Sequence, residues 1–466
     1  MMTDMSSAAV TPIDGGPRTR LTAPAWLVRA AGVVLPVVVG LLAAAIAWFR
    51  LPAGARDTLW AEDAAVFLTQ RLQLGPFASL VHPYDGYQHL VPRLIAEVAV
   101  ALPAESYART VTALCCAVVG LVAAATMVFA RRTIRTTAVR AVFALVPALT
   151  PVVAFEVLGN SANLHSFLLF LVPVLLLVRP RTWAGSVAPA VTAFVVAVSE
   201  IQAVYFVPML VLVLTPRSRR SWPIGGALVL GLGLQMLSVL TSARVRTPMH
   251  QDPSDVVTGW FLEPVLSTLY PKAGSAAVRL AQLGFGIAVV LALVFVAAAA
   301  VVLVGRWRRG DGLGPLRTLT IALLVGSPLA WAAGVVLNPT PLIDFSEHGI
   351  TSIGQTGYVR YAAPASMFLI GLVVLAAERL VRIGRTRATV VAAVLLVGLC
   401  VLLGVRALPH DVARSGAPTW SAEFRQGERD CERGAEDSRL EQAPWGWGAT
   451  LTCSTIQDDA FPTDQR

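Results

Sequence analysis

Lysine is almost absent from this sequence: Lys272 stands alone among many arginines. Charged residues of both signs make up only 14% of the 466 positions, whereas a soluble domain carries about a quarter. That shortage excludes an ordinary water-soluble fold. The chain also lacks a Gly-rich phosphate loop, a dinucleotide fingerprint, a CxxC pair and Cys/His zinc spacing, which argues against nucleotide cofactors and thiol redox chemistry. The net charge is +9, yet the basic residues form neither groove nor patch, so no nucleic acid is expected as a partner. Arginine together with abundant Ala and Val reflects GC-rich coding.

What is present is apolar sequence. Hydrophobic residues account for 56% of the chain, and they gather in runs approaching the ~20 residues that cross a bilayer as helix. The run AGVVLPVVVGLLAAAIAWF is longer than a signal-peptide core and reads as an uncleaved first helix. Ten further spans are expected at 109–130, 139–158, 164–178, 186–199, 203–215, 222–242, 278–304, 316–337, 361–378 and 388–405. The fold class is therefore an all-α integral membrane protein with about eleven transmembrane helices. It divides into a disordered N-terminus (1–29), a polytopic domain (30–405) with a long first loop (50–108), and a C-terminal tail (406–466).

Alternate connections separate sharply by charge. One set holds Arg131, Arg132, Arg135 and Arg140; Arg179 and Arg181; Arg217, Arg219 and Arg220; Arg306, Arg308, Arg309 and Arg317; and Arg379, Arg382, Arg385 and Arg387. Its only acids, the N-terminal tail apart, are Asp311 and Glu378. The positive-inside rule places this set and the N-terminus in the cytoplasm of an inner (plasma) membrane protein, and an odd span count puts the tail outside. Cys115, Cys116 and Cys400 fall in spans, where apolar burial is expected. Cys431 and Cys453 fall in the tail, where oxidation is permitted, and are expected to form a disulfide stapling a small, core-poor appendage.

The polar residues without a packing role gather on the outer side. In LWAEDAAVF, Glu62 and Asp63 follow the first helix, and adjacent side chains point in different directions, so the two carboxylates have different tasks. A helix N-terminus favouring acids is the plainer reading. In VHPYDGYQHLVPRLIAEV, Asp85-Gly86 signals a turn and Pro92 suits the first turn of an amphipathic helix. His82, Tyr84, Tyr87, His89 and Arg93 around that turn suit either sugar hydroxyls and phosphate or a headgroup-layer helix with Arg93 snorkelling. FEVLGNSANLHSF brings Glu156, Asn160, Asn163 and His165 to the same boundary, and Glu200 lies near it, which implies a polar cavity. Loop capping is the plainer role for each Asn. In GYVRYAAP, Tyr358, Arg360 and Tyr361 stand where a loop re-enters the membrane, so Arg360 serves either as a phosphate clamp or as an interfacial anchor. Arg244, Arg246, His250 and Asp252 show no interpretable spacing. Trp445 and Trp447 of WGW read as the tail's own core or a membrane contact before they read as a sugar-stacking surface.

The long first outer loop with its acidic pair, the amphipathic segments after it and the YVRY re-entry resemble the GT-C superfamily of membrane glycosyltransferases. The resemblance covers most of the chain as architecture but only short motifs as sequence. Many family members have Asp-Glu or Asp-Asp where this chain has Glu-Asp, which leaves open which carboxylate is the base. The resemblance implies inverting transfer of a sugar from a polyprenyl-phosphate donor to a cell-envelope glycan, lipid or protein. Asp63 is the first choice for base, Glu62 positions the acceptor or contacts a metal, and Arg360 or Arg93 meets the departing phosphate. A divalent cation belongs to the superfamily's repertoire, without a clear ligand set here. The alternatives are a transporter or flippase of a lipid-linked precursor and a non-catalytic assembly protein. Charges gathered at one face, with no convincing repeat, favour the enzyme.

Overall fold

The structure, a computed structural model, describes residues 25–242, 249–304, 314–408 and 412–462, except the side chains of 25–31 and 216–217. Most of the N-terminal segment, Arg244, Arg246, Arg306, Arg308, Arg309, Asp311 and the Arg217 side chain thus lie outside the described residues. The described residues fall into two units, 25–35 and Pro36 onward.

The longer helices are α1 (Ala25–Arg50), α2 (Thr69–Val81), α3 (Leu90–Ala99), α4 (Tyr107–Phe129), α5 (Thr137–Leu149), α6 (His165–Leu176), α7 (Ala184–Ser199) and α8 (Trp222–Thr241). They continue with α9 (Pro253–Trp260), α10 (Ala273–Leu283), α11 (Gly286–Leu303), α12 (Pro315–Leu337), α13 (Ala362–Ile383), α14 (Thr386–Arg406) and α15 (Trp420–Glu432). The strands β1 (Asp437–Gln442) and β2 (Trp447–Thr452) and the short α16 (Cys453–Gln457) close the chain. Among the described residues, eight helices are long and apolar enough to cross a membrane. Three shorter apolar helical segments fall where spans were expected at 164–178, 186–199 and 203–215. The twelve residues of α6 reach only ~18 Å, short of a ~30 Å hydrocarbon core. The segment after α7 is a 3-10 helix (Ile201–Met209) rather than α-helix, with Pro208 unable to donate to an α-helical ladder.

Burial runs opposite to apolarity. Helix α13 packs against α5, α6, α11, α12 and α14 and is buried along nearly all its length. Helix α14 is more apolar yet mostly exposed, with Val390, Val394, Val397, Val401 and Val405 on the surface. Water would reverse that order, whereas lipid tails do not. Helices pack closely through small residues: a Cβ on Gly40 would lie 2.9 Å from the Gly120 carbonyl oxygen, and one on Gly231 would lie 2.6 Å from the Ala197 Cβ. Glu378 is fully buried on α13, where it accepts from the Arg135 N–H at 2.8 Å and from Arg382 Nε at 2.7 Å.

The tail departs from the all-helical pattern and from a core-poor appendage. Strands β1 and β2 pair antiparallel, and Cys431 and Cys453 are joined by a disulfide. Trp420, Phe424, Leu440, Leu451 and Ile456 are buried. The tail is also fastened to the first loop. Ala443 pairs with the segment before the acidic residues, the Ala61 N–H donating to its carbonyl at 2.5 Å and its own N–H to Leu59 O at 3.1 Å. Arg414, 4% exposed, donates to Thr58 O at 3.1 Å, Gly159 O at 3.0 Å and Leu158 O at 2.5 Å. The Trp420 indole donates to Ala104 O at 2.8 Å.

Candidate functional site

The first loop enters the site through a tight bend. Ala61 adopts φ 36°, a left-handed value uncommon for a residue with a Cβ, and a π-helical turn (Asp63–Leu68) follows. The bend sends the two acids opposite ways. Asp63 is 2% exposed and turns inward. Its Oδ1 accepts from the Ser161 N–H at 2.9 Å and the Ser161 hydroxyl at 2.6 Å, and its Oδ2 from the Trp60 N–H at 3.2 Å. Burial pushes its carboxyl pKa up, and the bonds from Ser161 oppose that shift. A carboxylate so engaged locks one loop to another. Asp63 is not among the residues that line the cavity beside Glu62.

Glu62 faces a cavity of about 550 Å³. Its Oε2 is buried without a hydrogen-bond partner among the described residues. Burial raises its pKa, Arg360 counters, and Asp63 adds to the rise. The Asn163 side-chain N–H₂ is likewise buried without a partner among the described residues, and Asn163 lines the same cavity. Both ring nitrogens of His89 are in the same condition. Buried polar atoms left unmatched are expensive, so several of them around one cavity point to a polar ligand.

Arg360 lines this cavity, its side chain 37% exposed. Its contacts to Glu156 at 3.4 Å and the Tyr361 hydroxyl at 3.5 Å are long, so donor capacity remains for another anion. Burial works against its charge, but Tyr361, Glu156 and Glu62 outweigh it and hold the guanidinium above its ordinary pKa. His165 and Glu200 line the same cavity, Nδ1 to carboxylate oxygen 2.6 Å, with Glu200 also accepting from the Gln202 N–H at 2.6 Å. Carboxylate engagement of Nδ1 leaves Nε2 as the ring atom open to a ligand.

The Asp85-Gly86 turn is as the local sequence requires. Both residues have positive φ, 49° and 86°, and Tyr84 and Tyr87 exchange backbone hydrogen bonds at 3.0 and 3.2 Å. The turn presents Tyr84, Asp85, Tyr87 and His89 to the cavity. Burial pushes Tyr84 up to about 12 and His89 down to about 3, so both stay neutral. The His89 ring sits among those of Phe67, Tyr84 and Tyr87, with centroids 5.6, 5.7 and 4.1 Å away.

Three candidates serve the scaffold instead. Arg93, 2% exposed, donates to Gln70 at 2.7 Å and lies over the Phe67 ring, so it does not snorkel. Asn160 staples its own turn, donating to Glu156 O at 2.6 Å and accepting from the Asn163 N–H at 2.9 Å. Tyr358 donates its hydroxyl to Tyr270 O at 2.6 Å and is buried, whereas Tyr361 lines the cavity. Asp252 caps α9, accepting from the Ser254 N–H at 2.6 Å.

Part of the cavity's lining is apolar: Leu232, Met236 and Val239 of α8, with Ala333 and Leu337 of α12. Gln235 of α8 fastens the turn to this helix, accepting from the Gln88 N–H at 2.8 Å and donating to Gln88 O at 3.1 Å. Sequence reasoning passed over Gln235, whose signal is a lone amide within an apolar span. It also did not place Trp447 of the tail, which lines the cavity while Trp445 is 93% exposed. Among the described residues the one cluster of three possible metal ligands, Asp344, Glu347 and His348, is outside this lining. No family profile, curated protein or solved structure matches this chain.

Proposed function

We propose that the protein is an integral membrane glycosyltransferase that moves a sugar from a polyprenyl-phosphate donor to a cell-envelope acceptor on the outer face of the plasma membrane, with inversion. The observation that carries this reading is one cavity with two chemistries. Glu62 Oε2 and Asn163 Nδ2 lack partners among the described residues, and apolar residues of α8 and α12 line the same cavity. An amphiphile with a sugar-phosphate head and an isoprenoid tail matches both.

Glu62 is the base. Its carboxylate takes the proton of the acceptor hydroxyl as that oxygen bonds to the anomeric carbon, and the bond from that carbon to the phosphate oxygen breaks. The polyprenyl phosphate leaves with the bonding pair, and Arg360 stabilises its charge. A raised carboxyl pKa makes Glu62 a stronger base than a free glutamate. It also means that the active form is lost at a higher pH as acid is added. Asp63 holds the bend that aims Glu62. No step is routed through a divalent cation.

The test is purified protein in nanodiscs with a panel of labelled polyprenyl-phosphate sugars and envelope acceptor extracts. Release of polyprenyl phosphate with formation of a glycoside of opposite anomeric configuration is the expected result. If no donor is consumed but labelled lipid-linked precursor crosses the bilayer of proteoliposomes, the flippase reading replaces this one.

A further inference from the structure

The acceptor class is open in the proposal above, and the tail narrows it. Trp447 is half-buried at the start of β2. Part of its indole packs against the cluster of Val66, Phe67 and Ala96 beside Tyr84, and the remainder lines the cavity. The hairpin is not loosely placed. Ala443, directly after β1, pairs with Leu59 and Ala61, so the strand that precedes Trp447 is fastened directly before Glu62. The Gln442 side chain adds a bond to Ala61 O. Within the hairpin, the Trp447 N–H donates to Pro444 O at 3.2 Å, and the Cys431–Cys453 disulfide ties α15 to the far end of β2. An indole anchored along one part and open to a polar cavity along the other leaves apolar surface facing carboxylate, imidazole and guanidinium. The face of a sugar ring, with its C–H bonds toward the indole and its hydroxyls toward those polar groups, is a ligand that matches both sides at once.

We propose that Trp447 is the stacking platform of an acceptor subsite and that the acceptor is therefore a saccharide. This rests on the transferase reading in one respect, the assignment of Glu62 as the base beside the acceptor hydroxyl. The donor's lipid belongs to the apolar lining from α8 and α12, and the tail hairpin, adjoining Glu62, belongs to the partner that loses the proton.

The experiment uses the full chain in nanodiscs, with Trp447→Ala, Trp447→Phe and the exposed control Trp445→Ala. Mannotetraose, arabinotetraose and cellotetraose are titrated against indole fluorescence, with glycerol as a polyol lacking a ring, and transfer kinetics are measured in parallel. Subtracting the Trp447→Phe signal isolates one indole among eleven tryptophans. A tetrasaccharide is expected to shift that signal where glycerol does not. Trp447→Ala is expected to raise the acceptor KM about tenfold with the donor KM unchanged. Trp447→Phe, which retains a ring and the packing on Phe67, should recover most of that loss, and Trp445→Ala should behave as wild type. The proposal is overturned if no tetrasaccharide shifts the Trp447 signal or if Trp447→Ala leaves the acceptor KM unchanged. Saccharide binding through Trp447 without any transfer upholds the subsite and removes the transferase reading. Transfer to a lipid or protein that ignores Trp447→Ala does the reverse.

Discussion

The arginine-rich loops and the loop-and-tail region differ in one arginine. At the arginine-rich end, guanidinium groups are engaged with nearby backbone: Arg132 donates to Arg179 O, Arg179 to Leu212 O at 2.9 Å, and Arg220 to Arg181 O at 2.5 Å. A smaller cavity there, about 210 Å³, has Arg131, Arg132, Arg179 and Arg181 in its lining and no carboxylate. At the loop-and-tail end, Arg414 is similarly engaged, but Arg360 is held only by long contacts and shares its cavity with Glu62. Arginine fixes loops at both ends, but Arg360 differs: it is held by long contacts beside an unmatched carboxylate, and that contrast separates a fastening arginine from one at a site.

The contrast can be broken most directly by exchanging which arginine is removed. Arg360→Ala is expected to lower turnover by ~10²–10³ with the protein still folded, as for removal of one electrostatic donor. Arg132→Ala at the opposite end should leave turnover within about twofold. Equal losses in both would erase the distinction. Next in size is the tail. Cys431→Ser opens a crosslink spanning 22 residues, for which chain entropy gives about 3 kcal/mol. The expected outcome is faster proteolysis after α14, with turnover falling in step as the Leu59–Ala61 pairing loosens.

Asp63→Ala sharpens the comparison between the adjacent acids. It leaves the Ser161 N–H and hydroxyl and the Trp60 N–H without their acceptor, a loss of ~1–3 kcal/mol. Thermal unfolding should shift downward in Asp63→Ala and stay put in Glu62→Gln. A separate test concerns Glu263, fully buried with one oxygen accepting from the Val359 N–H at 3.0 Å. Burial pushes its carboxyl pKa up to about 8. The folded state therefore binds this proton more tightly than the unfolded state, and the stability it contributes is present at low pH. That contribution is lost as pH rises toward 8. Glu263→Gln should flatten this part of the pH dependence of the unfolding temperature, and an unchanged slope would remove Glu263 as its source.

The helical membrane outline was legible because apolar run length and arginine placement are local properties of the sequence. The number of crossing segments was less so, since proline shortens or alters helices that hydropathy alone draws as continuous, as between Ile201 and Val213. The divergence of Glu62 and Asp63 could be read from adjacency. Which of them faces the cavity could not, because the positive φ at Ala61 and the pairing with Ala443 set it, and Ala443 lies far along the chain. Arg93 and Tyr358, whose residue types suit a ligand, bond to residues distant in sequence, and Asn160 bonds within its own turn. Trp447 was visible only as part of a WGW motif, and its place depends on a hairpin docking onto a loop nearly four hundred positions earlier in sequence.

The central claim is that Glu62, and not its neighbour, is the reacting carboxylate. Single-turnover transfer by Glu62→Gln in nanodiscs, with unfolding followed in the same samples, tests it most directly. Wild-type unfolding with turnover lower by ~10²–10⁴ is the predicted result. Wild-type turnover in folded Glu62→Gln would contradict it.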